Sequence, residues 1–241
     1  MRIVALIGSA IGLFVFLWAV YTHHVSREAH ILFHQGSERG DHQTLTAASE
    51  LLADLLRLQP RVLLPLDWAA TQSSRAAIQR TLGQMENSTA RLEEAVATYR
   101  EALQEYPRQR TPVRWAAIQH DLGLTLWRLG EREDGTARLK EAVLSFQAAL
   151  QERTRDRAPI QWAITKCALG FPLARIAERE GEIRLLRETA TAYDSALSLL
   201  ISAGEHDRAA ICRTGRDQVI ALLNKNPASE NNPGAASFPD D

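Results

Sequence analysis

The chain has 241 residues, enough for one domain with an added anchor or tail. Its net charge of -1 gives no overall attraction to nucleic acid or to an anionic membrane surface, so the sequence predicts no nucleic-acid partner. Aromatic residues are only 6% of the chain, and Ala and Leu are abundant, which favours helices over strands. The two cysteines form no CxxC pair and predict no disulfide framework.

An apolar run without charged side chains occupies residues 3–21. A helix of this length approaches the ~30 Å hydrocarbon core of a bilayer, and Trp18 and Tyr21 suit the membrane–water interface. We therefore expect a single-pass anchor in a bacterial inner (plasma) membrane, with the repeat domain extracytoplasmic, that is, periplasmic. Arg far outnumbers Lys, a bias that fits a GC-rich bacterial genome. A cleaved signal peptide is the alternative, although the run is long for one and no A-x-A site follows before His23.

The rest of the chain repeats itself in steps of 47 residues. Trp68, Trp115 and Trp162 stand in the similar strings PLDWAATQ, PVRWAAIQ and PIQWAITK, each three residues after a proline. A second segment repeats as TARLEEAVATYREALQE from residue 89 and TARLKEAVLSFQAALQE from residue 136. Identity at a fixed period of this length indicates an array of structural repeats.

The sequence of each repeat predicts two helices. The first begins at the proline, whose missing N–H suits the first helical position, and Thr111 is a candidate cap for the helix at Pro112. In repeat two this helix ends at Gly130, and the second helix starts near Thr136. Both helices carry apolar residues at helical spacing, and stacked helix pairs bury those stripes in a common core. The tryptophans are interpreted as packing residues of that core rather than binding residues.

Six residues of repeat two follow a known signature: Leu122, Gly123, Gly130, Ala142, Phe146 and Ala149. Repeat one supplies the corresponding Ala95, Tyr99, Ala102 and Pro107. This pattern resembles the tetratricopeptide repeat, although the usual repeat has ~34 residues. The resemblance implies an all-α fold, a right-handed superhelical array of antiparallel helix pairs. The apolar run at residues 3–21 adds one transmembrane helix before this array.

The predicted organisation has three parts. Residues 1–25 form the transmembrane anchor, and residues 26–223 form the repeat domain. That domain comprises a degenerate pair at 26–60, repeats at 61–107, 108–154 and 155–201, and a capping helix at 205–223. Residues 224–241 are polar and rich in Pro, Gly and Asn, which predicts a disordered tail.

Common catalytic and nucleotide-binding motifs, including HExxH, GxSxG and GxxxxGK[ST], are absent, so we expect no enzyme, catalytic residue or cofactor. His23, His30 and His34 share one helical face. This spacing leaves open a metal-dependent factor, although solvent-facing histidines explain it equally well and no metal ligand set is assigned. Cys167 aligns with His120 and Ser73 in the other repeats, so its position has no fixed chemical role.

The resemblance also implies a function. In tetratricopeptide proteins the first helix of each pair lines a concave groove that binds a protein or peptide partner. The corresponding positions here are Ser73, Ala77, Arg80, Thr81, His120, Leu124, Trp127, Arg128, Cys167, Phe171 and Arg175. Arg80, Arg128 and Arg175 are candidates for holding a carboxylate such as a peptide C-terminus, or else ordinary solvated groove residues. The expected function is a membrane-tethered binding scaffold, and the alternative is a structural protein that assembles with its own copies.

Overall fold

The computed structural model describes residues 2–225, with side chains for residues 12, 13 and 15–225. Most of the predicted disordered tail, residues 226–241, lies outside this range. The elements are α1 Arg2–Arg39, α2 His42–Leu58, α3 Pro65–Met85, α4 Thr89–Glu105, α5 Pro112–Gly130, α6 Ala137–Leu150, α7 Pro159–Glu180, α8 Ile183–Ser202 and α9 His206–Lys225. Residues 2–225 thus contain nine helices and no strand, and the prediction of an all-α chain is confirmed.

The predicted location in a bacterial inner (plasma) membrane, with a periplasmic repeat domain, is wrong. None of the helices, over the residues that the structure describes, is long and apolar enough to cross a bilayer. Among the described side chains of α1 the apolar run ends at Tyr21, and the polar residues Thr22, His23 and His24 follow. The side chains of residues 1–11 and of Phe14, which belong to the predicted anchor at 1–25, lie outside the described residues.

Proline starts each first helix of the three repeats, as the sequence predicts. α3, α5 and α7 begin at Pro65, Pro112 and Pro159, and the tryptophan three residues later donates its backbone N–H to the carbonyl just before the proline, at 2.8–2.9 Å. Thr111 does not cap α5 with its side chain. Its hydroxyl donates instead to the Pro107 carbonyl oxygen at 3.0 Å, so the preceding turn holds this threonine.

The helices fall into two compact units. Unit 1, Met1–Arg132, contains α1 to α5, and unit 2, Glu133–Asp241, contains α6 to α9. Each unit buries its own apolar core. The boundary lies between α5 and α6, inside the predicted repeat at 108–154.

Unit 1 alternates first and second helices. α2 packs on α1 and on α3, α4 packs on α3 and on α5, and α3 also contacts the neighbouring first helices α1 and α5. The core is built from Val25 and Ala29 of α1, from α2, and from Ile78 and Leu82 of α3. α1, α3 and α5 therefore form one layer of unit 1, and α2 and α4 form the other.

Unit 2 follows the same plan from α6 onward. α7 packs on α6 and on α8, and α9 packs on both α8 and α7. α9 therefore takes the place that the first helix of a further repeat would take. Its buried residues Cys212 and Val219 share a core with Leu186, Tyr193 and Leu200 of α8.

One polar contact recurs in both units. In unit 1 the Arg132 guanidinium donates to the carbonyl oxygens of Gly83 at 3.2 Å and Ser88 at 3.5 Å. In unit 2 Arg179, which lies 47 residues after Arg132, donates to the Gly135 carbonyl oxygen at 2.6 Å, and Gly135 lies 47 residues after Ser88. Equivalent residues thus make equivalent contacts, with the end of a first helix held to the turn before the preceding second helix.

Candidate functional site

The predicted groove residues divide between the two units. Those of α3 and α5 lie in unit 1, where these helices adjoin, and those of α7 lie in unit 2. His120, Trp127 and Cys167 are buried. The remainder are partly buried: Ser73, Ala77, Arg80, Thr81, Leu124, Arg128, Phe171 and Arg175.

The two hydroxyl residues of the predicted groove are turned toward their own helix. Ser73 donates its Oγ hydrogen to the Ala69 carbonyl oxygen at 2.7 Å, and Thr81 donates to the Ala77 carbonyl oxygen at 3.0 Å. A side chain that bonds its own backbone has less capacity left for a ligand. Neither hydroxyl is therefore a strong candidate for recognition.

Arg80 lies against a buried phenol. Its guanidinium is close to the hydroxyl of Tyr99, a residue of α4 with no exposed surface. Burial raises the pKa of Tyr99, the charge of Asp121 acts in the same direction, and Arg80 opposes both. Arg80 therefore compensates buried polar groups among α3, α4 and α5, and is less suited to a ligand than Arg128.

Arg128 lies in a cleft formed by the C-terminal ends of α3 and α5. The cleft has a volume of about 340 Å³ and is lined by Gln84, Arg128, Glu131 and Arg132; we call it the α3–α5 cleft. Arg128 places its guanidinium carbon 4.0 Å from the centre of the Trp127 ring and donates to Glu131 Oε2 at 3.2 Å. Trp127 is buried beneath it, so the stacking fixes where the positive charge is presented.

Arg175 repeats this ion pair in unit 2. It donates to Glu178 Oε2 at 2.6 Å, and the two residues lie 47 positions after Arg128 and Glu131. The corresponding residues of repeat one are the uncharged Thr81 and Gln84. Each of these arginines thus has a neighbouring carboxylate on its own helix, and their joint action on one ligand stays a prediction.

The histidines of the possible metal site do not assemble into one. His30 and His34 lie edge to face, with ring centres 4.5 Å apart. Over the part of the chain that the structure describes, no group of three or more His, Cys, Asp or Glu side chains is arranged to hold a metal ion. The third residue of the predicted set, His23, is exposed.

An arginine that was not predicted from the sequence accompanies each repeat tryptophan. The guanidinium carbons of Arg61, Arg108 and Arg155 lie 4.6, 5.3 and 5.7 Å from the ring centres of Trp68, Trp115 and Trp162, respectively. All three arginines stand seven residues before their tryptophan, in the same 47-residue register. That spacing is visible in the sequence and predicts the stacking once the turn before the proline is known to be tight.

Two further positions, one before each first helix and one inside that helix, change residue type together from repeat to repeat. Where the first helix carries Thr71, Gln59 accepts its hydroxyl hydrogen at 2.7 Å. Where it carries Thr165, Arg153 donates to that hydroxyl at 3.0 Å. Repeat two has Ile118 in place of the threonine, and there Tyr106 donates instead to the Leu66 carbonyl oxygen at 2.8 Å. The polar side chains at this pair of positions thus each have a hydrogen-bond partner.

Comparison with known proteins gives similarity of fold alone. No protein-family model matches the chain, and no curated protein matches it. Among solved structures it is similar to the DHF58 filament, at 15% identity and a TM-score of 0.38, over 87% of this chain and 95% of that one. It is also similar to the de novo designed helical repeat protein DHR64, at 15% identity and a TM-score of 0.31, over 86% of this chain and 95% of that one. The described residues form an all-α, repeat-like fold.

Proposed function

We propose that this chain is a protein-binding module of the tetratricopeptide type, in which the first-helix layer of unit 1 binds an extended segment of a partner protein. The α3–α5 cleft is the observation that supports this most directly. It lies on the two first helices whose side chains the resemblance assigns to a groove, and it contains Arg128, one of the assigned residues.

The chemistry of the cleft favours a carboxylate ligand. Two guanidinium groups face one carboxylate there, which leaves an excess of positive charge. Arg132 is engaged with backbone carbonyls, whereas Arg128 is 41% exposed and uses one N–H on Glu131. A guanidinium has five N–H donors in a planar fork that matches a carboxylate. The ligand is therefore a C-terminal carboxylate or an Asp or Glu side chain of the partner.

The variation between repeats supports a binding role for these positions. The residues that pack between helices recur, as in Tyr99, Phe146 and Tyr193, each of which has no exposed surface. Position 128 is Arg, but the equivalent position in repeat one is Thr81. The equivalent position in repeat three is Arg175, so the fold accepts either an arginine or an uncharged residue there, and does not require the charge of Arg128 in every repeat.

Replacing Arg128 with Gln is expected to weaken binding of a carboxylate-terminated peptide by about tenfold to a hundredfold, because a charge-assisted hydrogen bond contributes roughly 1.5–3 kcal/mol. The probe is a set of peptides with free C-termini, selected on an array with the wild-type chain, and the readout is fluorescence anisotropy. The same peptides with amidated C-termini are expected to lose affinity for the wild-type chain to a similar extent.

Arg57→Gln is the matched control for this experiment. Arg57 is 79% exposed on α2 and pairs only with Asp54 of the same helix, so its loss leaves the first-helix layer unchanged. Equal affinity of wild type and Arg128→Gln for every selected peptide would eliminate the α3–α5 cleft as the binding site. Free and amidated peptides that bind equally well would eliminate the terminal carboxylate while leaving a side-chain carboxylate to be tested by Asp-to-Asn and Glu-to-Gln replacement in the peptide.

A second candidate function is self-association, supported by apolar residues exposed in the turn between α2 and α3. Val62 is 93% exposed and Leu63 is 75% exposed. The positions 47 and 94 residues later hold Gln109 with Arg110 and Asp156 with Arg157. Since the fold accepts polar residues at these positions, the apolar pair in repeat one indicates a contact with another protein surface, and a second copy of the chain is the simplest partner.

Replacing Val62 with Gln and Leu63 with Arg, the residues of repeat two, is expected to convert an oligomeric chain to a monomer. The measurement is size-exclusion chromatography with light scattering, over protein concentrations from about 1 to 100 µM, a range in which contacts of ordinary affinity populate the complex. Helical content by circular dichroism should not change. A wild-type chain that stays monomeric over this range excludes self-association through this turn.

A further inference from the structure

The two cysteines of the chain lie together in the core of unit 2. Cys167 on α7 is 5% exposed and Cys212 on α9 has no exposed surface. Both are free thiols, both belong to one apolar cluster, and their helices are in direct contact. The 47-residue period does not relate them, because Cys212 lies 45 residues after Cys167.

Two glycines let α7 and α9 approach the same side chain, Tyr193 of α8. Gly170 follows Cys167 by three residues, and Gly215 follows Cys212 by three. A Cβ atom on Gly170 would lie 2.6 Å from Cε2 of Tyr193, and one on Gly215 would lie 2.5 Å from the hydroxyl oxygen of the same tyrosine. Both helix backbones therefore touch one phenol ring, and the cysteines lie one turn earlier on each helix.

Cys212 donates its S–H hydrogen to the Tyr193 carbonyl oxygen, with sulfur and oxygen 3.7 Å apart. The side chains of Cys167 and Cys212 lie in one cluster, near enough for each thiol to influence the ionisation of the other. Interaction with Cys167 lowers the pKa of Cys212, against the opposing effect of burial, and the same interaction, together with burial, raises the pKa of Cys167. Cys212 is thus the more readily ionised sulfur and Cys167 the partner that holds a proton.

We propose that Cys167 and Cys212 are an oxidation site that closes to a disulfide bond between α7 and α9. A disulfide requires Cα atoms about 4.4–6.8 Å apart and side chains that face each other. The contact between α7 and α9 and the burial of both thiols in one cluster bring the two side chains toward that geometry. The proposal concerns unit 2 alone and is independent of the binding function proposed for unit 1.

The reaction needs a peroxide as the oxidant. The Cys212 thiolate attacks one peroxide oxygen, the O–O bond breaks, and the departing hydroxide takes up the proton that Cys212 released, which gives a sulfenic acid and one water molecule. The Cys167 sulfur then attacks the sulfenic sulfur, the S–O bond breaks, and the oxygen leaves with the Cys167 proton as a second water molecule. Two thiols are oxidised and one peroxide is reduced.

The test treats the full chain with hydrogen peroxide for several hours, since the buried thiols react only when the helices open locally. Alkylation under denaturing conditions, digestion and mass spectrometry are expected to reveal a peptide pair joined through Cys167 and Cys212. The bond closes a loop of 45 residues, so the midpoint of thermal unfolding should rise by about 5 °C or more and return on reduction with dithiothreitol.

Two alanine variants test the pairing of the thiols. In Cys167→Ala the Cys212 sulfenic acid has no partner thiol, so dimedone should label Cys212 after peroxide treatment, and the joined peptide pair should be absent from both Cys167→Ala and Cys212→Ala. Wild-type protein in which both cysteines remain fully alkylatable after peroxide contradicts the proposal, and so does a disulfide found only between two chains. The wild-type result decides the question even where a variant fails to fold.

Discussion

Tyr99→Ala is expected to lower the free energy of unfolding by about 3–5 kcal/mol, the usual cost of removing a fully buried aromatic side chain. Tyr99 is among the largest side chains with no exposed surface, and it lies on α4, which packs between α3 and α5. Its loss leaves a cavity that neighbouring helices cannot close without breaking their own contacts. Urea unfolding followed by circular dichroism measures the change.

Tyr99→Phe is the matched control, because Phe146 occupies the equivalent position of repeat two and is equally buried. The ring stays and only the hydroxyl near Arg80 is lost, so we expect a change within about 1 kcal/mol. A loss below about 1 kcal/mol for Tyr99→Ala would show that this aromatic position does not belong to a packed core. A loss of the same size in both variants would move the stabilising role from the ring to the hydroxyl.

The 47-residue period predicted most of the fold because packing positions are under the same physical demands in every repeat. The prolines at 65, 112 and 159 marked helix starts correctly, and the aromatic positions 99, 146 and 193 are all buried. Each is decided by local geometry or by a contact with the adjacent helix. A period carries that information, since each repeat meets nearly the same neighbours.

The inner-membrane location was predicted from a different kind of signal, the hydropathy of the first residues, and was wrong. Hydropathy over residues 3–21 measures only how apolar a segment is, and the period does not reach it. In the structure α1 continues to Arg39, and Val25 and Ala29 pack in the core of unit 1. The hydropathy of residues 3–21 carries no information about this packing of the second half of α1.

The candidate site was less predictable than the fold because ion pairs and thiol contacts depend on side-chain placement. The sequence placed Arg128 and Arg175 on equivalent positions, but not their pairing with the glutamates three residues later. The sequence also did not indicate which residue contacts Cys167, because α9 lies outside the 47-residue register of the repeats. Only the packing of α9 on α7 shows that Cys212 is beside it.

Gly170→Ala is expected to destabilise unit 2 by about 2–3 kcal/mol, even though alanine is the better helix former by roughly 1 kcal/mol. The new methyl group would lie 2.6 Å from Cε2 of Tyr193, and nearer still to Cζ. The ring has no exposed surface and its hydroxyl end is already against Gly215, so it cannot move aside. The clash must be relieved by parting α7 from α8 and α9, which opens the core. Thermal and urea unfolding measure the loss.

Gly135→Ala separates this clash from the general effect of adding a methyl group. Gly135 is exposed, has no positive φ, and would place its Cβ more than 4 Å from any neighbouring atom, so the change in the free energy of unfolding should stay within about 0.5 kcal/mol.

A Tyr193→Leu replacement, which removes the ring, should abolish most of the penalty of Gly170→Ala in a double-mutant cycle. Two outcomes would contradict this explanation: a Gly170→Ala variant as stable as wild type, or a penalty that persists in the Tyr193→Leu background. In either case the glycine is not required by the close approach of α7 to Tyr193. The cysteine contact one turn earlier depends on the same approach, so its disulfide yield after peroxide should fall in Gly170→Ala and remain unchanged in Gly135→Ala.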